Sequence, residues 1–221
     1  MENANTKGIL VVVSGFSGAG KGTIIKELLK KYENFSLSIS ATTRAPRAGE
    51  VDGSEYFFLT KEEFEKGIAE DAFIEYANYV GNFYGTPRKF VLSKLDEGQD
   101  VLLEIEIQGA LEVKKKYPQA LLVFLTTPDA ASLKTRLESR GTEDASRIMA
   151  RLQRAKQESR VISHYDYVIV NDSLDKAVDE LYKIVESHHM KDFDDENIKH
   201  LKISENSSMI YRLQKDMEET F

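Results

Sequence analysis

The chain has no cysteine. Disulfides and thiolate metal sites are therefore excluded, and the composition suits a reducing compartment. It also lacks any run approaching the roughly 20 apolar residues of a membrane-spanning helix. The stretch Met1 to Lys7 has no basic segment leading into a long apolar one, so a cytoplasmic protein with no membrane partner is expected. A basic surface is missing as well: 30 Lys and Arg against 37 Asp and Glu leave a net charge of −7. Binding nucleic acid through a general basic face needs clustered cations, so nucleic acid is not an expected partner. The four histidines, His164, His188, His189 and His200, show no metal-ligand spacing, and no Ser-His-Asp or Cys-His arrangement is suggested. What remains is an ordinary globular composition, 41% hydrophobic over 221 residues, enough for one α/β domain of generous size or a core with small inserted lobes.

What is present begins with Gly15-Phe16-Ser17-Gly18-Ala19-Gly20-Lys21-Gly22-Thr23, directly after the apolar run Ile9 to Val13. The glycines let the backbone turn so that successive N–H groups point inward, the next helix starts there with its positive dipole end, and Lys21 adds a mobile cation. With a β-branched run before it and helix-forming residues Ile24 to Lys30 after it, the G-x-x-x-x-G-K pattern reads as a nest for a nucleotide's polyphosphate. The position after the lysine, where the common pattern has a hydroxyl against Mg²⁺, is Gly22, and the hydroxyl follows at Thr23. Because Mg²⁺ retains several waters, it is expected to be held mainly through phosphate oxygens and water.

Apolar runs at Ile9 to Val13, Phe35 to Ile39, Val101 to Ile105, Leu121 to Leu125 and Tyr167 to Val170 read as strands. They alternate with helical patterns at Thr23 to Tyr32, Lys89 to Leu95, Ala110 to Lys116, Ala130 to Ser139, Ser146 to Ser163 and Leu174 to Ser187, which implies an α/β fold with a parallel sheet covered on both faces. From about residue 41 to 87 the rhythm breaks into Gly- and aromatic-rich sequence, read as a small, mostly β insertion with one helix near Lys61 to Lys66. A Gly hinge among charged residues, Arg140-Gly141-Thr142-Glu143-Asp144, joins two helices and suits a mobile lid spanning about 137–152. The segment 188–221 reads as an acidic connector and a loosely held terminal helix.

Two further constellations carry chemistry. Ser38-Ile39-Ser40-Ala41-Thr42-Thr43-Arg44-Ala45-Pro46-Arg47-Ala48-Gly49-Glu50 is followed by Gly53-Ser54-Glu55-Tyr56; Val101 to Gly109 is an apolar strand ending in Glu104 and Glu106. Arg44 and Arg47, three residues apart with Pro46 stiffening the turn, form a fork for a phosphate dianion, to which Tyr56 and Tyr84 can add hydroxyl donors. Read alone, an isolated R-x-x-R is better explained by pairing with Glu50 and Glu55 on a solvated loop. Glu75, taken alone, is a polar residue alternating with Ile74 and Tyr76 on a half-buried strand.

From about Lys7 to Glu186 the chain resembles guanylate kinases. The resemblance rests on the phosphate loop, S-x-T-T-R-x-P-R-x-G-E, G-x-x-Y-x-F, the F-I-E-Y piece, G-N-F-Y-G-T, and the late R-G-T-E and I-V-N-D. It implies a three-layer phosphate-loop fold: a core of 7–40 and 88–186, a GMP-binding insertion of about 41–87, and a helical lid. It implies transfer of the ATP γ-phosphoryl group to GMP, and to dGMP, without a covalent enzyme intermediate. ATP is assigned to Gly15, Ser17, Gly18, Ala19, Gly20, Lys21, Gly22, Thr23, Arg136 and Asn171. GMP is assigned to Ser40, Arg44, Arg47, Tyr56, Glu75, Tyr84, Thr86 and Glu106, with Glu75 reading the guanine edge. Lys21, Arg44, Arg140 and Arg151 are the expected catalytic cations.

The strand-end segment reads D-x-D-x-Q-G in most guanylate kinases, whereas here Glu104 and Glu106 replace the aspartates. With Thr23, they are the candidate protein donors to Mg²⁺. Rival readings are a kinase for another monophosphate, suggested by the G-K-G-T ending shared with adenylate kinases; a scaffold module that has lost catalysis; and a GTPase switch. The S-x-T-T-R block and Glu75 weigh against the first, the intact loop against the second, and the absence of N-K-x-D against the third.

Overall fold

A computed structural model describes residues 7–79, 81–139, 144–192 and 195–221. Arg140 and the Gly hinge expected at 140–143 lie outside the described residues. In chain order the first elements are β1 (Leu10–Gly15), α1 (Lys21–Lys31), β2 (Phe35–Leu37), β3 (Ala41–Thr42), β4 (Phe57–Phe58) and α2 (Lys61–Ala69). Next come β5 (Phe73–Tyr79), β6 (Asn82–Pro87), α3 (Arg88–Asp96), β7 (Asp100–Glu104), α4 (Ile107–Lys116) and β8 (Leu121–Thr126). The last are α5 (Ala130–Glu138), α6 (Ala145–Ser159), β9 (Tyr167–Val170), α7 (Leu174–Met190), α8 (Glu196–Lys199) and α9 (Ser207–Thr220). The α/β class, the parallel strands and the alternating helices are as expected, with boundaries moved by a few residues.

The chain forms two compact units. One comprises Asn34–Ala120 with the segment up to Leu10. In it β2 and β7 pair in parallel, and Asp100 at the start of β7 accepts from the Ile9 backbone N–H at 2.8 Å and from Asn34 Nδ2 at 3.0 Å. The insertion is a four-stranded sheet of order β4-β3-β6-β5, with β3–β6 and β5–β6 antiparallel. Its small core is aromatic: Phe64 of α2 stacks on Phe73 at 4.3 Å and on Phe83 at 5.2 Å between centroids. α2 starts cleanly because Thr60 and Glu63 form a reciprocal capping box. β4 is only Phe57–Phe58, since Glu55 turns back to accept from the Val51 backbone N–H.

The second unit comprises Val11–Glu33 and Leu121–Phe221. β1 pairs in parallel with β8, Val11 opposite Leu121 through Gly15 opposite Leu125, and β8 pairs in parallel with β9. Val11, Val12, Val13, Leu122, Val123 and Phe124 are fully buried, which is why these strands read as continuous apolar runs without alternation. The expected loosely held terminal helix is instead packed: Ile210, Leu213 and Met217 are buried, and α9 lies against α5 and α6. These residues recur at helical spacing, so the stripe was present in the sequence and its partner was not visible. Among the described residues, no helix is long and apolar enough to cross a membrane.

Candidate active site

β1 delivers the chain to the phosphate loop through Gly15, where a Cβ would come within 2.1 Å of the Leu125 carbonyl oxygen. Gly18 (φ +101) and Gly20 (φ +93) adopt left-handed conformations that glycine takes without strain. Gly20 is also the N-cap of α1, and among the described residues no side chain caps that end. The first-turn N–H groups of α1 are thus the donors a phosphate would meet. Lys21 Nζ arches back to donate to the carbonyls of Gly15 (2.7 Å) and Phe16 (3.2 Å).

Two more sequence-assigned residues meet this loop, and a third meets one of them. Arg151 Nη1, from α6, donates to Ser17 Oγ at 2.7 Å. Asn171, just past β9, is buried, and its Nδ2 donates to the Ala19 carbonyl at 2.7 Å. Arg136 Nη2, from α5, donates to the Asn171 carbonyl at 2.7 Å. Ser17, Ala19, Lys21, Arg136, Arg151 and Asn171 are therefore one connected set. Thr23 is exposed in the first turn of α1.

In the other unit, Arg44 is held from several sides. Its Nη1 and Nη2 donate to the two carboxylate oxygens of Glu50, each at 2.9 Å, and its guanidinium lies over the rings of Tyr56 (5.4 Å) and Phe58 (5.8 Å). Hydrogen bonding to Glu50 first, and to Tyr84 after it, favours the charged guanidinium, while Arg44 and the Arg47 backbone N–H hold the Glu50 carboxyl below its usual range. The pairing with Glu50 that a solvated loop would show is thus present, but both side chains are only 16% exposed. Glu55 pairs elsewhere, and Arg47 is exposed. Tyr56 stands edge-on to Tyr84 at 6.0 Å; burial raises its phenol, so it is a neutral hydroxyl donor.

Glu75 lies on β5 at an irregularity: the register with β6 shifts between Phe73 and Tyr76. Phe73, Ile74 and Glu75 are consecutive and all buried, so the bulge turns inward a carboxylate that simple alternation left half-exposed. Thr86 Oγ1, fully buried on β6, donates to Glu75 Oε1 at 2.7 Å. Burial raises the carboxyl, and the Thr86 bond and the Lys116 charge pull it back down. Against its other oxygen lies Gly109 of α4, whose absent Cβ would sit 2.9 Å from Oε2. Sequence reasoning missed Gly109, although the Gln108-Gly109 ending of the strand motif was its signal. Ser40 is half-buried and its carbonyl accepts from the Phe57 N–H. Glu104 ends β7 exposed, and Glu106 is the exposed N-cap of α4.

A loop suited to polyphosphate in one unit, and a guanidinium and phenol cluster suited to a phosphate monoester in the other, are the chemistry of a phosphotransferase that draws on a nucleoside triphosphate. The comparisons with known proteins narrow that class. A family model described as guanylate kinase matches residues 7–188. The chain is 48% identical over 188 residues to the guanylate kinase of Latilactobacillus sakei, covering 85% of this chain and 93% of the relative. It is 51% identical over 179 residues to that of Caldanaerobacter subterraneus, covering 81% and 87%. The crystal structure of guanylate kinase from Anaplasma phagocytophilum superposes with a TM-score of 0.67 at 33% identity, covering 85% of this chain and 89% of that one. The chain belongs to the guanylate kinase family. It is a nucleoside monophosphate kinase that transfers a phosphoryl group from ATP to GMP.

Proposed function

We propose that the phosphate loop and its attached arginines hold ATP, that the insertion holds GMP, and that Glu75 selects guanine. The observation that carries this reading is the buried Glu75 carboxylate, bonded to Thr86 and given room by Gly109. Guanine presents N1–H and an exocyclic amine side by side, and a carboxylate has acceptor capacity beyond its bond to Thr86. Adenine, with an unprotonated N1, would leave that buried charge without donors, a penalty that can reach roughly 10⁴-fold. Because the sugar plays no part in this discrimination, dGMP is a substrate as well.

Arg44 and Arg47, with the Tyr56 and Tyr84 hydroxyls, bind the GMP phosphate; Ser40 and Glu106 complete the acceptor group. A bidentate guanidinium held by Glu50 presents its remaining N–H groups in a fixed direction. In the donor half, Gly15 to Thr23 wrap the ATP phosphates, Asn171 braces the loop, and Arg136 braces Asn171. In-line transfer then forms a bond between a GMP phosphate oxygen and the γ-phosphorus as the bond to ADP breaks. Lys21, Arg44 and Arg151, with Arg140, spread positive charge over the transferring group.

Among the described residues no group of three or more His, Cys, Asp or Glu could hold a metal on its own. We assign Mg²⁺ to the incoming nucleotide, with the exposed oxygens at Thr23, Glu104 or Glu106 as the protein donors. Bound there, Mg²⁺ would neutralise charge on the phosphate oxygens.

The test is ADP release with ATP and Mg²⁺ against GMP, dGMP, AMP, CMP and UMP, alongside Lys21→Ala. GMP and dGMP turn over, the others do not, and Lys21→Ala loses transfer while GMP binding stays measurable. Comparable turnover of AMP or UMP would overturn the assignment of Glu75.

A further inference from the structure

The family match ends at residue 188, yet the chain beyond it is built into the same unit as the phosphate loop. Residues 201–203 run antiparallel beside β9: the Val168 N–H donates to the Leu201 carbonyl (2.8 Å) and the Ile203 N–H to the Asp166 carbonyl (3.0 Å). This covers the outer edge of β9, which would otherwise present unpaired backbone groups. α9 then returns across α5 and α6.

What α9 holds bears on the donor residues. α6 is thinly anchored by its own side chains: its buried residues are Leu152, Ala155 and Ser159, all in its second half. That half is where α9 takes hold. Gln214 Nε2 donates to the Ser159 carbonyl (2.8 Å), Gln153 Nε2 to the Phe221 backbone oxygen (2.8 Å), and Lys156 Nζ to the Glu218 carbonyl (3.0 Å). Asp216 Oδ2 accepts from the backbone N–H of Ala130, the first residue of α5, at 2.6 Å. One helix of the extension thus fixes both the start of α5, which carries Arg136, and the end of α6. Arg151, which reaches Ser17, stands at the junction between the exposed and the anchored halves of α6.

We infer that α9 is a positioning element of the donor half-site, acting through Asp216 on α5 and through Gln214 on α6 to set the geometry of Arg136 and Arg151. Charged groups that stabilise a transferring phosphoryl group must be held within about 0.5 Å of their productive placement. A helix with three buried residues does not secure that alone. The inference rests on the assignment of Arg136 to ATP and of Arg151 to the transferring phosphoryl group.

The experiment uses full-length Asp216→Ala, Asp216→Asn, Gln214→Ala and Arg151→Ala, measuring kcat, KM for ATP, KM for GMP and thermal unfolding. Asp216→Ala and Gln214→Ala are expected to lower kcat/KM for ATP about fivefold to tenfold, below the roughly 100-fold that a full 1 Å misplacement can cost. KM for GMP should stay within twofold, and Asp216→Asn, which keeps an acceptor oxygen, should restore wild-type values. In the double variant Gln214→Ala/Arg151→Ala the two losses should be less than additive. If both single variants are folded and keep wild-type kinetics while Arg151→Ala is impaired, α9 is structural packing and the inference fails. If Arg151→Ala itself is unimpaired, the assignment of Arg151 as a catalytic cation fails first. Should Asp216→Ala melt below the assay temperature, Gln214→Ala decides alone.

Discussion

Gly109 of α4 gives Glu75 of β5 its room: a Cβ at position 109 would stand 2.9 Å from Glu75 Oε2. Real Cβ atoms do not approach an oxygen so closely, and Glu75 cannot simply swing aside, because its other oxygen is fixed by the buried Thr86 hydroxyl at 2.7 Å. Gly109→Ala should displace the carboxylate by a few tenths of an ångström and raise KM for GMP about tenfold, with kcat and KM for ATP little changed. Steady-state kinetics at saturating ATP read this directly. A KM for GMP within twofold of wild type would show that Glu75 accommodates the methyl group and that the close approach has no functional weight.

The same carboxylate sets a pH dependence. Burial raises it above the ordinary carboxylate range, and in the proposed site guanine's two donors would require it ionised. KM for GMP should therefore climb as pH falls through that raised value, at a pH above the roughly 4.3 of a free glutamate. Thr86→Val removes a hydrogen bond that favours the charged form, so the climb should begin at higher pH than in wild type. A KM–pH profile unmoved by Thr86→Val would place the titrating group elsewhere.

Stability should move in the opposite sense to selectivity. Because the folded pKa of Glu75 lies above the unfolded one, the folded chain binds more protons in the interval between them. Its contribution is fully present below the unfolded value and is lost as pH rises through the folded one. At about pH 7.5 the ionised carboxylate is thus a burden on the fold. Glu75→Gln keeps an acceptor for Thr86 and removes the charge, so Tm should rise at that pH while discrimination of GMP from AMP drops. A lower Tm in Glu75→Gln at neutral pH would contradict the linkage.

The sequence made the strands and helices legible because fully buried strands such as Leu10–Gly15 and Leu121–Thr126 are unbroken apolar runs, and the phosphate loop legible because its glycines and lysine have fixed spacing. Glu75 was legible only through family likeness. Period-two alternation says that Ile74 and Glu75 face opposite ways, and the bulge that buries both depends on register with β6, which residues 73–76 do not encode by themselves. Gly109 was opaque for a related reason: its value is the space beside a residue 34 positions away in a different element. The terminal helix carried its stripe openly at Ile210, Leu213 and Met217, but its partners α5 and α6 could be known only once the chain was folded.

Arg44 and Glu50 form an enclosed ion pair: one guanidinium takes both oxygens of Glu50, and Glu50 also accepts from the Arg47 backbone N–H at 2.7 Å. If Glu50 merely competed with phosphate for Arg44, Glu50→Ala would tighten GMP. If it orients the fork, Glu50→Ala should raise KM for GMP about tenfold, because a guanidinium free to rotate loses the bidentate geometry that distinguishes arginine from a point charge. The enclosure by the Tyr56 and Phe58 rings favours orientation, and a fall in KM for GMP would reverse that conclusion.

Asn171 and Gly20 make the sharpest test of the donor half. Asn171 Nδ2 donates to the Ala19 carbonyl at 2.7 Å, and a Cβ on Gly20 would meet that same nitrogen at 2.5 Å in a backbone conformation, φ +93, that side chains rarely adopt. Asn171→Ala leaves the buried Ala19 carbonyl without its donor and removes the brace that Arg136 steadies through the Asn171 carbonyl. A lost buried hydrogen bond of this kind costs about 1–3 kcal/mol, so KM for ATP should rise about tenfold or more while KM for GMP holds. Gly20→Ala adds backbone strain to the same displacement and should lose more ATP affinity than Asn171→Ala. If nucleotide titration instead finds Asn171→Ala binding ATP as tightly as wild type, the loop keeps its shape without the strut, and the connected set of Ala19, Asn171 and Arg136 has no part in holding the donor.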